Sequence, residues 1–393
     1  METQNNKWKN RLNFLALSIW LIVSVGVAIF SFIYFSVDFR GYYAAARVLF
    51  EGGNPYDYEQ VVPVLVQITG VMSTHPYYYP PWFAWLFMPV VFLPFQVARG
   101  IWMAFNLVIW NISLWMLSEL VNWRRKDWRL YSLFSLSTLT FGWTTLRYEQ
   151  ASIFVFFFLL LTIVSIHKRQ WIYTGLCLTF LLVKPNVTLI IVFMICLWLV
   201  RNGQWKPILA LLTTLVIFSG WALWTIPDLL KPFFKPDFLL GLTSALEGSD
   251  QVVAMRINTT LLDWLGIWNL GESYRLLIYG LCILVGIVAL VLMFYRAHSL
   301  LELTSLSLLV TFFITPYAVQ YDYAPLVITL FWALSLCNSS TLTKFGGLAL
   351  TMFIFSVSLW QRNIAWGYWI VLGLIALTIW ALSQRSSSPL TEP

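Results

Sequence analysis

Apolar residues along this chain come in long blocks separated by short polar breaks. No ten-residue stretch alternates apolar and polar positions as a membrane strand would. A block of roughly 20 apolar residues crosses the hydrocarbon as a helix, and in lipid a helix satisfies its own backbone groups. Blocks at 12–35, 97–118, 130–146, 151–167, 171–184, 186–200, 207–226, 273–295, 299–315, 322–337, 345–361 and 366–383 predict about twelve spans, with a range of about ten to thirteen. The expected fold class is an all-α polytopic membrane protein, one domain over 1–383 with a disordered cytoplasmic tail at 384–393.

Departures from that rhythm are informative. The blocks at 171–184 and 186–200 are short and flank Lys184-Pro185-Asn186, so their helices are expected to stop partway and line a cavity. Segment 81–95 is apolar, but Pro89 and Pro94 interrupt any helix there. Were it to span, Arg124–Arg129 would fall on the same side as the acidic loops. An in-plane helix is therefore expected. It closes a first outer loop, 36–96, in which a helix over about 39–51 ends at Gly52-Gly53. A second large outer loop, 227–272, is too long for a simple connector.

Composition agrees with a membrane chain: 60% of the 393 residues are hydrophobic and 10% are charged. The net charge of +7 would suggest nucleic acid if it lay in one patch. Instead Lys and Arg fall in short breaks (Lys7, Lys9, Arg11; Arg124, Arg125, Lys126, Arg129; Lys168, Arg169; Arg201, Lys206; Arg296; Lys344; Arg385), the positive-inside pattern. Both termini are then cytoplasmic in a plasma-membrane protein, most acidic residues lie outside, and no nucleic-acid partner is expected. Cys177, Cys196, Cys282 and Cys337 all fall within apolar runs and have no disulfide or metal spacing. With three histidines and no Asp-x-Asp pair, no metal or other cofactor is expected. Nucleotide-loop, zincin and nucleophile-elbow motifs are also absent.

Polar chemistry gathers at the ends of spans. Asp38 follows the first block directly, where a half-desolvated carboxylate is either a general base or the cap of the next helix. Arg40 and Arg47 offer phosphate ligands or snorkelling cations, and Tyr43 shares a helical face with Arg47. Lys184 suits a lipid-linked phosphate at a cavity mouth, or snorkels from a helix end. Arg147, Glu149 and Gln150 form a polar knot between spans, either part of the site or an internal ion pair. Arg256 and Asn258 are candidate anion ligands in the late loop. Asp322 either caps a helix or orders a sugar hydroxyl, with Tyr321 beside it.

In order along the chain, Asp38, Tyr42, Tyr43, Ala45, Ala46, Arg47, Gly52, Pro55, Tyr56, Asp57, Tyr79, Pro80 and Pro81, then Gln150, Lys184-Pro185 and Thr315-Pro316, resemble glycosyltransferase family 87. Glu149 stands where a Gly commonly precedes the Gln, and Val319, Gln320 and Tyr321 follow where many members have Trp and His. The resemblance implies a GT-C-like bundle of about twelve helices that moves a hexose, mannose first, from a polyprenyl-phosphate donor. The acceptor would be a lipid or glycan at the outer face. It makes Asp38 the catalytic base of an inverting transfer, with Arg40, Tyr43, Arg47, Tyr79, Gln150, Lys184, Arg256, Asn258, Tyr321 and Asp322 binding substrate among membrane lipids. The rival is a lipid or solute transporter or flippase, which would put polar groups at the membrane midplane.

Overall fold

The computed structural model describes residues 2–34, 38–70, 77–123, 127–234, 260–268, 270–337 and 367–385, and among them the chain is helical throughout, with no β-sheet. The first helix, α1 (Glu2–Tyr34), starts ten residues before the expected apolar block, because the polar 2–11 segment continues the same helix. Helix α2 (Phe39–Phe50) follows. Gly52 adopts φ +80°, the left-handed turn that stops α2 and that a side chain would resist. A helix not expected from the sequence, α3 (Tyr58–Thr69), packs back on α2; Asp57 caps it by accepting the Glu59 amide.

The 81–95 segment is not one helix. Pro81 opens α4 (Pro81–Trp85), a 3-10 turn covers Met88–Val90, and Pro94 precedes α5 (Phe95–Leu120). Next, α6 (Trp128–Ser137) passes through a π turn (Thr138–Gly142) into α7 (Trp143–Arg147). Then come α8 (Ser152–His167), α9 (Trp171–Leu181), α10 (Pro185–Arg201) and α11 (Lys206–Thr225). Further along the chain stand α12 (Leu261–Ile267), α13 (Glu272–Arg296), α14 (Leu300–Ile314), α15 (Leu326–Ser335) and α16 (Trp369–Arg385).

Among the described residues, α1, α5, α11 and α13 are long and apolar enough to cross a membrane, and seven further apolar helices are shorter. The expected blocks thus appear as helices, apart from 345–361, which lies outside the described residues. The lengths separate lining from core. Nearly every residue of α14 is buried, whereas α11 and α13 present mostly exposed Leu, Val and Ile. A helix apolar all round belongs inside the bundle, and one exposing aliphatic side chains along its length faces lipid.

Candidate active site

Five interruptions between helices meet at one end of the bundle. They are the α1–α2 junction at Asp38, the approach to α4 at Tyr79, the α7–α8 turn at 148–151, the α9–α10 break at 182–184, and the 3-10 helix Gln320–Tyr323 between α14 and α15. Each interruption exists for a local reason. Pro185 occupies the first turn of α10, where its missing N–H costs nothing, and it prevents α9 from continuing. Glu149 takes φ +57° and ends α7.

Lys184 is the centre of the cluster. It is 6% exposed and lies at the N-terminus of α10, the positive end of a helix, where a buried cation is doubly unfavourable without acceptors. Three acceptors surround it. Its ammonium donates to Gln150 Oε1 at 2.9 Å and to Ser152 Oγ at 2.9 Å, and it pairs with the Asp322 carboxylate. Its Nζ lies over the Tyr321 ring, 4.8 Å from the ring centre. Asp322, fully buried, also accepts the Ser152 hydroxyl at 3.1 Å and the Val319 amide at 2.9 Å. Asp322 therefore caps its 3-10 turn, one of the two roles read from the sequence, and also neutralises Lys184, which the sequence did not indicate.

Asp38 is half-buried at the first position of α2, yet its side chain makes no capping bond there. Its amide donates to the Tyr148 carbonyl at 3.4 Å, which ties α2 to the α7–α8 turn. Burial pushes its carboxyl up to about 7, against the pull of Lys184 and Arg40; Asp322 adds a further upward push. Gln150 connects the cluster to the aromatic side. The Tyr79 hydroxyl donates to Gln150 Oε1 at 2.9 Å, and the Tyr42 hydroxyl donates to that of Tyr79 at 3.0 Å. Asp38 thus lies within electrostatic reach of a cation, a second carboxylate and the phenols of Tyr42, Tyr79 and Tyr321, a set able to take a proton and to hold hydroxyls and an anion.

The other expected site residues stand elsewhere. The Tyr43 hydroxyl donates to the carbonyls of Val91 (3.2 Å) and Leu93 (2.9 Å), and Arg47 pairs with Glu51 at 3.1 Å. Both line a separate cavity of about 540 Å³ with Phe50, Gln67, Phe92 and Phe95. Arg40 acts on Asp38 through its charge. Arg256 and Asn258 lie outside the described residues. In the polar knot, Glu149 pairs with Arg99 of α5, not with Arg147, whose guanidinium carbon lies 5.4 Å from the Tyr148 ring centre.

Ser152, Tyr42 and Arg99 were not among the expected site residues. Arg99 had a usable signal, a lone cation within an apolar span. Ser152 had none, since serine is common in a helix's first turn.

Residues 77–319 match the model of Glycosyltransferase family 87, more than half of the chain. No curated protein and no solved structure matches it.

Proposed function

The chain belongs to glycosyltransferase family 87, a membrane glycosyltransferase, and from that membership we propose that it transfers a hexose from a polyprenyl-phosphate donor to a lipid or glycan hydroxyl at the outer membrane face. The observation that carries the mechanism is Asp38: a carboxylate at a helix start that makes no cap bond, within electrostatic reach of the buried Lys184. In this reading Asp38 removes the proton from the acceptor hydroxyl as its oxygen attacks the anomeric carbon. The bond from that carbon to the phosphate oxygen breaks on the opposite face, so the configuration inverts. The polyprenyl phosphate leaves with the electron pair, and Asp38 holds the proton.

Lys184 offsets charge on the phosphate. Its three N–H donors are already engaged by Gln150, Ser152 and Asp322, so it acts through its field or by exchanging one of them. Tyr79 and Gln150 orient hydroxyls. A donor that carries its leaving group at the bilayer surface needs no diphosphate-binding metal pair. A mannosyl donor is the first to try, on the family resemblance.

The test incubates purified protein with radiolabelled polyprenyl-phosphate hexoses and candidate lipid and glycan acceptors. Transfer by the wild-type enzyme is expected. Asp38→Asn, which keeps size and polarity, should lower turnover by roughly 100-fold or more while the protein stays folded, since it removes the proton acceptor. A folded D38N enzyme with normal turnover would overturn the assignment.

A further inference from the structure

We propose that Glu149, clamped by Arg99, is a positioning residue for the transfer reaction: it fixes the turn whose neighbours hold the Asp38 backbone and the Lys184 ammonium. The inference rests on the reading of Asp38 as the base.

Tyr148, Glu149 and Gln150 form the short link between α7 and α8. The Tyr148 carbonyl accepts the Asp38 amide, and Gln150 accepts both Lys184 and Tyr79. Displacing this link displaces both halves of the cluster. Glu149 between them has φ +57°, a conformation that glycine adopts freely and that a side chain such as glutamate rarely adopts. Something must hold it there.

The restraint comes from two residues of α5. Arg99 Nε donates to the Glu149 carboxylate from within α5, and Trp102, one turn further on, donates its indole N–H to the Glu149 carbonyl at 2.9 Å. Arg99 also reaches the last described turns of α1: its Nη2 donates to the Ser31 carbonyl at 3.4 Å, and its guanidinium carbon lies 4.8 Å from the Phe32 ring centre. Arg99 therefore bridges the helix that delivers Asp38 and the turn that receives it. Arg99 and Glu149 are 5% and 2% exposed.

Stability alone does not account for this arrangement. A glycine in the turn with an apolar residue at position 99 would remove both the unfavourable angle and the desolvated ion pair, and such replacements are often neutral or stabilising. The guanidinium instead holds the Glu149 carboxylate through Nε and the Ser31 carbonyl through Nη2 at once, which fixes direction, and direction matters where a base must be aimed.

The measurement is kcat and KM with the polyprenyl-phosphate hexose and acceptor that the wild-type enzyme turns over, alongside the melting temperature of each purified variant. The double variant Glu149→Gly with Arg99→Met is expected to melt near the wild type, because glycine fits the angle and no charge is stranded. Its kcat should nonetheless fall by roughly 10- to 100-fold, the scale of a misplacement of about 1 Å. Arg99→Lys keeps the charge but loses the guanidinium, so it should lower kcat in the same direction; it supplies the readout if the double variant does not fold. Wild-type kcat in a folded double variant, or in Arg99→Lys should the double variant not fold, overturns the proposal. Failure of the underlying reading is seen separately: there D38N retains turnover whatever Glu149 does.

Discussion

An aspartate at the start of a helix ordinarily uses its carboxylate to accept one of the first free amides. Asp57 and Asp127 do so here, accepting the amides of Glu59 and Arg129. Asp38 does not, and its carboxyl is held up to about 7 by burial. The fold thus favours the protonated form. Its stabilising contribution is largest below the ordinary value of 3.8 and declines as pH rises toward 7. Activity runs the other way, because the base must be ionised. The pH profile of kcat/KM should rise through an apparent pKa of about 7 and level off above it. Arg40→Gln should move that limb to higher pH, since Arg40 favours the carboxylate. A limb unmoved by Arg40→Gln would remove Asp38 as its source. At this scale the sequence showed which polar residues end apolar runs: Asp38, Gln150, Lys184 and Asp322. It did not show orientation. Tyr43 and Arg47 share a helical face, but which neighbour that face meets depends on how the 91–95 carbonyls fold back, a tertiary fact.

The π turn Thr138–Gly142 adds a residue's worth of rotation within the α6–α7 rod, a feature often found beside functional sites. Trp110 of α5 fits it from outside, donating to Thr138 Oγ1 at 3.0 Å. A side chain at Gly142 would press within 3.2 Å of the same ring. Beyond the turn, Thr144 and Thr145 donate to the carbonyls of Gln320 (3.4 Å) and Tyr321 (2.8 Å), which anchors the 3-10 segment carrying Asp322. Deleting Leu139, a partly exposed residue of the turn, should restore a regular helix and rotate α7 by about 100° relative to α6. The expected result is loss of transfer with helical content by circular dichroism unchanged. Retained activity would show that this register is irrelevant to the site. Apolar length predicted nearly all the helices, and Pro89 with Pro94 predicted the break at 81–95. One inserted residue inside an apolar run leaves no trace in hydropathy, so the π turn was illegible. Helix α3 was hidden for another reason: it is short and carries Pro63 within it.

Across the whole molecule, the site and the basic helix connections occupy opposite ends. The helix connections at 168–170, 202–205 and 297–299 carry or adjoin Lys168, Arg169, Arg201, Lys206 and Arg296, whereas Asp38, Glu149, Lys184 and Asp322 lie at the other end of the same helices. The positive-inside rule supports the proposal that the site end faces outward. Cysteine substituted for the exposed Glu59 should react with an impermeant maleimide on intact cells, and one at the exposed Lys168 only after permeabilisation. The opposite pattern would invert the assigned orientation. The order in which these parts are made carries its own consequence. Lys184 emerges during synthesis long before Asp322, the counter-charge it is buried against. Until α14 has been inserted and the following turn has closed, the growing chain holds an unneutralised ammonium at the head of α10. The late helices therefore complete the folding of the early ones, and a chain ending after α13 would leave its first half with a stranded charge rather than a smaller working enzyme.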